Sequence, residues 1–258
     1  EASKAGLNFC EEYRELIRQN MPSKKYTAAA LCSNMLRSEH IPYNIFTPML
    51  LDKEATRMLF CKLVDKDIAE ITDIKIEYAG EPDKRPEYLN DRTSFDAYVQ
   101  YKMADGTEGG IGIEVKYTEK EYPLGGEEKN KIENTSRYHM MTSNSHYYTN
   151  DLDIKRFIKD HHLRQIWRNH ILGYSMMQKG DIQKFHHIHL YPAGNIHFQK
   201  KAIPEYKTLL TEKGKNSFID LTYEELFAQM RKHFKTSQQQ KWIDYLYLYP
   251  AVVNNVNR

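Results

Sequence analysis

Residues 94–116 contain two runs in which apolar and polar side chains alternate, and an Asp-Gly pair joins the two runs. In the first run Asp96 lies opposite an apolar set formed by Phe95, Ala97, Val99 and Tyr101. In the second run Glu114 and Lys116 share one face, opposite Ile111, Ile113, Val115 and Tyr117. A period of two predicts strands, and glycine in the turn tolerates a positive φ. The segment therefore predicts a β-hairpin that brings Asp96 near Glu114.

Two carboxylates held side by side raise each other's pKa and lose hydrating water, so this pairing favours a bound cation. Mg²⁺ prefers hard oxygen ligands and is commonly held by one or two carboxylates and a substrate phosphate. An amine beside them can stabilise charge on a scissile phosphate or position the attacking water. The pattern predicts phosphodiester hydrolysis with Mg²⁺, or Mn²⁺ in its place. Asp96 and Glu114 would bind the metal, and Lys116 would be catalytic.

The alternative is an amphipathic hairpin whose acidic and basic side chains face solvent. Three glycines favour the functional reading, because they leave room beside the acidic face: Gly109, Gly110 and Gly112. We expect a site rather than a solvated surface.

These residues resemble the signature of the PD-(D/E)XK, or restriction-endonuclease-like, nucleases, which is an Asp on one strand and Glu-X-Lys on the next. Here the two parts read Phe95-Asp96 and Glu114-Val115-Lys116, with Phe95 in place of the usual proline. The segment IEVKYTE, followed by a helix containing QIWRNHILGYSM, is similar to a group of uncharacterised bacterial proteins described as restriction endonucleases, over about residues 26–198. The resemblance implies an α/β fold with an αβββαβ core, a central mixed sheet and extra N-terminal and C-terminal helices.

The resemblance also implies further site residues. Many members add an acid from the first core helix, and Glu39 is the matching position, although a solvated glutamate at a helix end explains it equally well. A polar residue on the helix after the third strand often faces the active site, and Gln165 matches it. Glu119 could also line the cleft, but it lies outside the alternation of the catalytic strand and ranks below Gln165.

Periodicity and capping signals predict the elements around the hairpin. Helices are predicted over Asn8–Gln19, Thr27–Glu39 and Asp52–Val64, then a strand over Ile71–Tyr78. Residues 122–153 are predicted as a long loop whose Tyr138, His139, Tyr147 and Tyr148 could stack on splayed bases. A helix over Asp160–Met177, a strand over Lys184–Tyr191 and helices over Thr222–Phe234 and Gln238–Tyr249 complete the order. We expect one domain over 1–258, with a core over about 26–198 and a C-terminal helical extension over about 199–258.

The charge of the chain is unevenly distributed. Residues 151–258 carry 17 Lys and Arg against 10 Asp and Glu, whereas residues 1–150 carry 20 against 25. One helical stretch concentrates Lys155, Arg156, Lys159, Arg164 and Arg168, which could contact phosphates or form an ordinary solvated helix face. Trp167 within it could stack on a base, but helical spacing favours a core position. We expect DNA as the partner.

The residues alone leave several alternatives open. The chain could be a nucleic-acid-binding module with weak or no turnover, or a nuclease acting on RNA or branched DNA. His187 and His189 share a strand face, for which a polar face is favoured over a zinc site because no Cys or carboxylate stands at ligand spacing. A homodimer would let two sites cut both strands.

No apolar run reaches the roughly 18–20 residues of a membrane span, so we expect a cytoplasmic protein without membrane contact.

Overall fold

The computed structural model describes residues 6–22, 36, 38–91, 93–120 and 136–256. Along the chain these residues form the following elements: α1 (Arg14–Asn20), α2 (Ile41–Phe46), α3 (Lys53–Leu63), β1 (Ile68–Tyr78), β2 (Phe95–Met103), β3 (Glu108–Val115), α4 (Ser136–Ser145), α5 (Lys155–Lys159), α6 (His161–Gln178), β4 (Lys184–Tyr191), α7 (Ile203–Thr208), α8 (Glu212–Ser217), β5 (Phe218–Thr222), α9 (Tyr223–His233), α10 (Ser237–Leu246) and α11 (Leu248–Val256). Among them no helix has the length and apolar character needed to cross a bilayer.

The strands form one mixed sheet in the order β1-β2-β3-β4-β5. β2 runs antiparallel to its two neighbours β1 and β3, whereas β4 and β5 run parallel to β3. The helix α6 connects β3 to β4 and packs over both strands. This arrangement confirms the predicted α/β fold with a central mixed sheet and is consistent with a restriction-endonuclease-like core.

The predicted hairpin forms between β2 and β3. The pairing runs from Ala97 opposite Ile113 to Lys102 opposite Glu108, so the same register places Asp96 opposite Glu114. At the turn Gly106 has a φ of 86°, which explains why glycine is needed there. The alternating pattern thus aligns the two acidic positions as predicted.

Apolar side chains cover both faces of the sheet. One cluster joins Ala97, Val99 and Ile113 to the N-terminal and C-terminal helices, and the other joins Tyr98 to α4 and α6. The alternation prediction is wrong at Phe95, whose ring packs in the second cluster, 5.7 Å from Phe185. A Cβ on Gly112 would overlap that ring, so this glycine makes room for an aromatic side chain rather than for substrate.

The predicted loop over 122–153 is partly wrong, because residues 136–145 form α4. Its tyrosines are core residues: Tyr138, Tyr147 and Tyr148 are all buried. Tyr138 donates a hydrogen bond to Asp91, and Tyr148 shares one of 2.8 Å with Tyr206. Burial removes these three rings from contact with bases. Residues 121–135 lie outside the described residues, as do residues 27–35 and 37 of the predicted helix Thr27–Glu39.

The C-terminal part contributes more than the predicted helical extension. The sequence pattern does not predict β5, which extends the sheet beside β4, and its last residue, Thr222, is the N-cap of α9. The predicted capping box is confirmed, because Thr222 Oγ1 accepts the Glu225 N–H at 3.2 Å and Glu225 Oε2 accepts the Thr222 N–H at 2.9 Å. The helix predicted over Gln238–Tyr249 divides into α10 and α11 at Tyr247.

The predicted basic helix face also needs correction. Arg164 and Arg168 are buried in α6, and Arg168 Nη2 lies 3.0 Å from Asp91 Oδ2 in an ion pair that is almost inaccessible to solvent. Trp167 is in the core, as its spacing indicates, with its ring stacked 4.9 Å from that of Phe157. The two α6 arginines therefore stabilise the fold. Lys155 and Lys159 of α5 are exposed, and Arg156 is partly exposed and paired with Asp160 and Glu205.

Candidate active site

The hairpin register brings Asp96, Glu114 and Lys116 together at one end of β3. Asp96 Oδ2 accepts the Val115 N–H at 2.7 Å, which fixes the carboxylate against the neighbouring strand. Lys116 Nζ lies 2.7 Å from Glu114 Oε1, and the two side chains are 11% and 1% exposed. Both carboxylates and the amine lie on one face of the hairpin. The three predicted residues are therefore brought together by the pairing of two neighbouring strands.

The electrostatics of this trio are unfavourable. Burial, and then the neighbouring charge of Glu114, raise the pKa of Asp96 well above its ordinary value. Burial also raises the pKa of Glu114, although Lys116 partly offsets the effect. Burial opposes the charge on Lys116, but Glu114 and Asp96 outweigh it, so its pKa is raised and the amine stays protonated. One ammonium group thus faces two carboxylates, and a further positive charge would stabilise the site.

The helix α6 supplies two polar side chains to the trio, one turn apart. Gln165 Oε1 accepts a hydrogen bond from Lys116 Nζ, so the predicted contact between this helix and the site is present. Asn169 Nδ2 donates to Glu114 Oε2. Sequence reasoning missed Asn169, although its spacing of four residues from Gln165 places both on one helix face and could have identified it.

His189 is a second residue that the sequence pattern did not assign to the site. It pairs with Glu114 across β3 and β4 and is fully buried, so the predicted polar strand face is in fact covered by protein. Burial, then His187 and Lys116, hold the pKa of His189 well below its ordinary value, and the imidazole is neutral. Neither ring nitrogen has a hydrogen-bond partner within the described part of the chain. His189 lines a cavity of about 10 Å³ with Lys116 and Gln165.

Of the two remaining acidic candidates, Glu119 lies in the loop after β3 and Glu39 lies in the segment before α2. Glu119 accepts the Ser38 N–H at 2.9 Å and the Tyr117 N–H at 2.8 Å, so it fastens this loop to the segment containing Glu39. Glu39 itself is partly exposed within the short 3₁₀ helix Ser38–His40. Across the described ranges, no three His, Cys, Asp or Glu side chains converge as a preformed metal cluster. A metal-binding role for Glu39 therefore stays a prediction.

The atoms at the centre of the site nonetheless suit a hard divalent cation. Glu114 Oε1 is buried and contacts Lys116 as an ion pair, but it has no aligned hydrogen bond among the described residues. Asn169 Oδ1 is likewise buried without a hydrogen-bond partner in that part of the chain. Unsatisfied buried oxygens are costly, whereas Mg²⁺ and Mn²⁺ bind carboxylate and amide oxygens. The donor set of Asp96, Glu114 and Asn169 fits such an ion.

We expect Asn169→Ala to weaken Mn²⁺ binding, measured by calorimetry, by about 10- to 100-fold, the usual effect of losing a residue that orients a metal ligand. The substitution frees Glu114 to rotate and removes one amide oxygen. Gln178→Ala is the matched control, because Gln178 lies at the far end of the same helix and its side-chain amide donates to Tyr174 Oη, away from the site. Equal Mn²⁺ affinity in Asn169→Ala and the unmodified protein would contradict this role.

The family comparison agrees with this geometry. The model of the family described as the PD-(D/E)XK nuclease superfamily matches residues 1–248 of the 258. No curated protein and no solved structure matches the chain. The match extends over nearly the whole sequence, and the site presents an Asp beside a Glu-X-Lys on adjoining strands. The chain belongs to the PD-(D/E)XK nuclease superfamily.

Proposed function

We propose that this protein is a metal-dependent nuclease that hydrolyses DNA phosphodiester bonds. The observation that carries the proposal is the convergence of Asp96, Glu114 and Lys116 at one end of β3, with unsatisfied oxygen atoms at its centre. Burying two carboxylates beside a single ammonium group is energetically unfavourable and shifts their pKa values. Such perturbed groups cluster at functional sites.

Asp96, Glu114 and Asn169 would hold the ion, and Glu39 is a further candidate ligand. When bound, the ion supplies positive charge to the phosphate and lowers the pKa of an attacking water. Mg²⁺ is our choice, with Mn²⁺ as a substitute, because the donors are all oxygens.

The chain's own residues would orient the substrate. Lys116 is protonated and sits beside the carboxylates, where it can stabilise the negative charge that develops on the scissile phosphate. Gln165 accepts one of its N–H groups and so aims the amine. A donor that is already held in position stabilises the transition state more than a mobile one, because it needs no reorganisation during the reaction.

A cavity of about 420 Å³ opens beyond the end of β3 and gives the substrate a place to enter. It is lined by Tyr117 and Thr118, which directly follow Lys116, and by Asn195, Ile196 and His197 after β4, together with Lys120 and Val253. Polar and cationic side chains at this mouth suit a phosphodiester.

The finer assignments rest on the resemblance to the bacterial group described as restriction endonucleases. We propose an endonuclease with a role in restriction or anti-phage defence, acting as one domain over 1–258 in the cytoplasm. A homodimer would place two sites on the two strands of a duplex. RNA or branched DNA as substrate would use the same chemistry, because phosphate-directed contacts carry no base information.

The test is a cleavage assay with supercoiled plasmid, linear duplex, single-stranded DNA and RNA, each with Mg²⁺, Mn²⁺ or chelator. We expect cutting of duplex DNA that requires the metal and is lost in Asp96→Asn. Asp105→Asn, in the exposed turn of the same hairpin, is the matched control and should cut normally.

The possible outcomes separate the candidate functions. Linearised plasmid would indicate internal cutting, whereas mononucleotide release from linear duplex alone would indicate an exonuclease. Cutting of RNA alone would replace the substrate assignment. Binding of DNA without any cutting, together with no heat of Mn²⁺ binding, would overturn the nuclease proposal in favour of a binding module.

A further inference from the structure

Apart from the catalytic residues, α5 presents a cationic groove at the surface. The groove has a volume of about 290 Å³ and is lined by His139 of α4 and by Lys155, Ile158 and Lys159 of α5. Lys155 and Lys159 are exposed and four residues apart, so they project from the same side of the helix. Within the described part of the chain neither ammonium group forms an ion pair.

The nearby carboxylates are already occupied by other partners. Glu205 pairs with Arg156 and, at 2.9 Å, with His162 Nε2. Asp160 Oδ2 lies 3.3 Å from Arg156 Nε, and Asp153 Oδ1 accepts the Lys155 backbone N–H at 2.9 Å. No carboxylate of the described residues lies within ion-pair distance of either ammonium group, so both groups are available to an anion.

The backbone of α5 is held firmly beneath these lysines. The Phe157 ring stacks on Trp167 of α6, and the Ile158 carbonyl accepts a hydrogen bond from Arg164. A lysine pair on a fixed helix loses less conformational entropy on binding than a pair on a free loop, because only the side chains have to be ordered.

The groove also lies close to the catalytic lysine. Only Asp160 separates α5 from α6, and Gln165 in the second turn of α6 contacts Lys116. From helix rise and chain geometry, the Cα atoms of Lys159 and Gln165 are at most about 14 Å apart. One strand of duplex DNA advances about 3.4 Å per nucleotide along the helix axis, so a separation within this bound covers at most a few nucleotides.

We infer that the groove between α4 and α5 binds the phosphodiester backbone of the substrate a few nucleotides from the scissile bond, through Lys155 and Lys159. The inference rests on the proposed nuclease function, since the occupant is the strand whose neighbouring phosphate is cut. A nucleic acid fits better than an acidic protein surface because it spans the groove and the site with one evenly spaced row of charges. The contact carries no sequence information and sets affinity and placement.

The test compares Lys155→Gln/Lys159→Gln with Lys232→Gln/Lys235→Gln. The control pair loses the same charge from exposed lysines on the helix α9 and just after it, and α9 packs on the opposite face of the sheet. Binding to a labelled duplex is measured by fluorescence anisotropy in chelator, over about 50–200 mM salt. Cleavage at saturating duplex and thermal melting are measured alongside.

We expect the slope of log affinity against log salt to become shallower by about 1.8 in the groove variant and to stay unchanged in the control. Over that salt range the unmodified protein would then lose about tenfold more affinity than the groove variant. KM should rise, whereas kcat and the melting temperature should not change.

An unchanged slope, or an equal change in both double variants, would overturn the inference while leaving the nuclease proposal intact. If the unmodified protein neither binds nor cuts any nucleic acid, the proposed function fails and the inference fails with it. Poly-glutamate that bound as tightly as the duplex and depended on the same two lysines would assign the groove to an acidic protein surface instead.

Discussion

We expect Lys116→Met to lower the rate of DNA cleavage by about 100- to 1000-fold while Mn²⁺ binding is retained. Methionine keeps the length and apolar stem of the side chain but removes the charge that faces the scissile phosphate. Loss of one preorganised hydrogen-bond donor to the transition state typically lowers kcat by about 100- to 1000-fold. The carboxylates of Asp96 and Glu114 remain, so the metal should bind at least as tightly once the competing ammonium group is gone.

The measurement is single-turnover cleavage of duplex DNA, with Mn²⁺ affinity from calorimetry and folding from circular dichroism. Lys102→Met is the matched control, because Lys102 lies on β2 of the same hairpin but is exposed and far from the acidic end. Loss of both cleavage and metal binding, or cleavage at the normal rate, would contradict the assigned role of Lys116.

The same substitution should also destabilise the metal-free protein. Glu114 is buried, and Lys116 is the cation in contact with its Oε1. Removing one partner of a buried ion pair leaves an uncompensated charge and commonly costs about 3–5 kcal/mol. Melting curves recorded beside the cleavage assay separate this loss of stability from the loss of rate.

We expect Asp96→Asn to abolish cleavage and yet to raise the free energy of unfolding of the metal-free protein by about 0.5–2 kcal/mol near pH 8. Asparagine keeps an oxygen that can accept the Val115 N–H, but it removes a charge that lies beside Glu114 in a largely enclosed site. The repulsion between the two carboxylates is thereby relieved.

The pH dependence follows from the direction of the pKa shift. The folded-state pKa of Asp96 is raised above its unfolded value of about 3.9. A group shifted in this direction contributes stability below its unfolded pKa, and the contribution is lost as pH rises through the folded pKa. The gain from Asp96→Asn should therefore be large at pH 8 and nearly absent near pH 4.

Urea unfolding in chelator at both pH values checks this expectation. Asp105→Asn is the control, because the Thr107 N–H donates to Asp105 and lowers its pKa, so neutralising it should not stabilise the fold. Saturating Mn²⁺ should reverse the order, since the ion stabilises only a protein that binds it. A lower or equal stability of Asp96→Asn in chelator at pH 8 would mean that the two carboxylates do not repel in the folded protein.

The hairpin and the arrangement of the site residues were predictable from the sequence because they depend on local periodicity. The family was indicated by the resemblance of Asp96 and Glu114-Val115-Lys116 to its signature, and the family model confirms it. In a hairpin with a tight Asp-Gly turn, the register follows from turn position and side-chain alternation. This register places Asp96, Glu114 and Lys116 close together. The length of α6 and the capping box of α9 were predictable for the same reason, since they involve residues within a few positions of one another.

Features that depend on packing between distant segments of the chain could not be predicted from the sequence. Alternation alone does not say that the Phe95 ring crosses to the other face, because the space for it comes from Gly112 on the neighbouring strand. The weak periodicity of residues 136–145 predicts a loop, but these residues form α4, which packs its Tyr138 against Trp167 and is stabilised by that contact. Burial of Arg168 likewise requires Asp91, which lies 77 residues earlier in the chain.

The sequence by itself determined the hairpin and the acidic pair with its lysine, because alternation and turn chemistry act over a few residues. It indicated the superfamily through the resemblance of these residues to a known signature. Only the tertiary structure decided that Asn169 and His189 join the site and that the α5 lysines stay at the surface while the α6 arginines do not. These outcomes depend on which helix face meets the sheet and on which carboxylates are already paired. Both are properties of segments brought together by the fold. The four-residue spacing of Asn169 from Gln165 indicates a shared helix face, but the contact of that face with Glu114 depends on how the helix packs on the sheet.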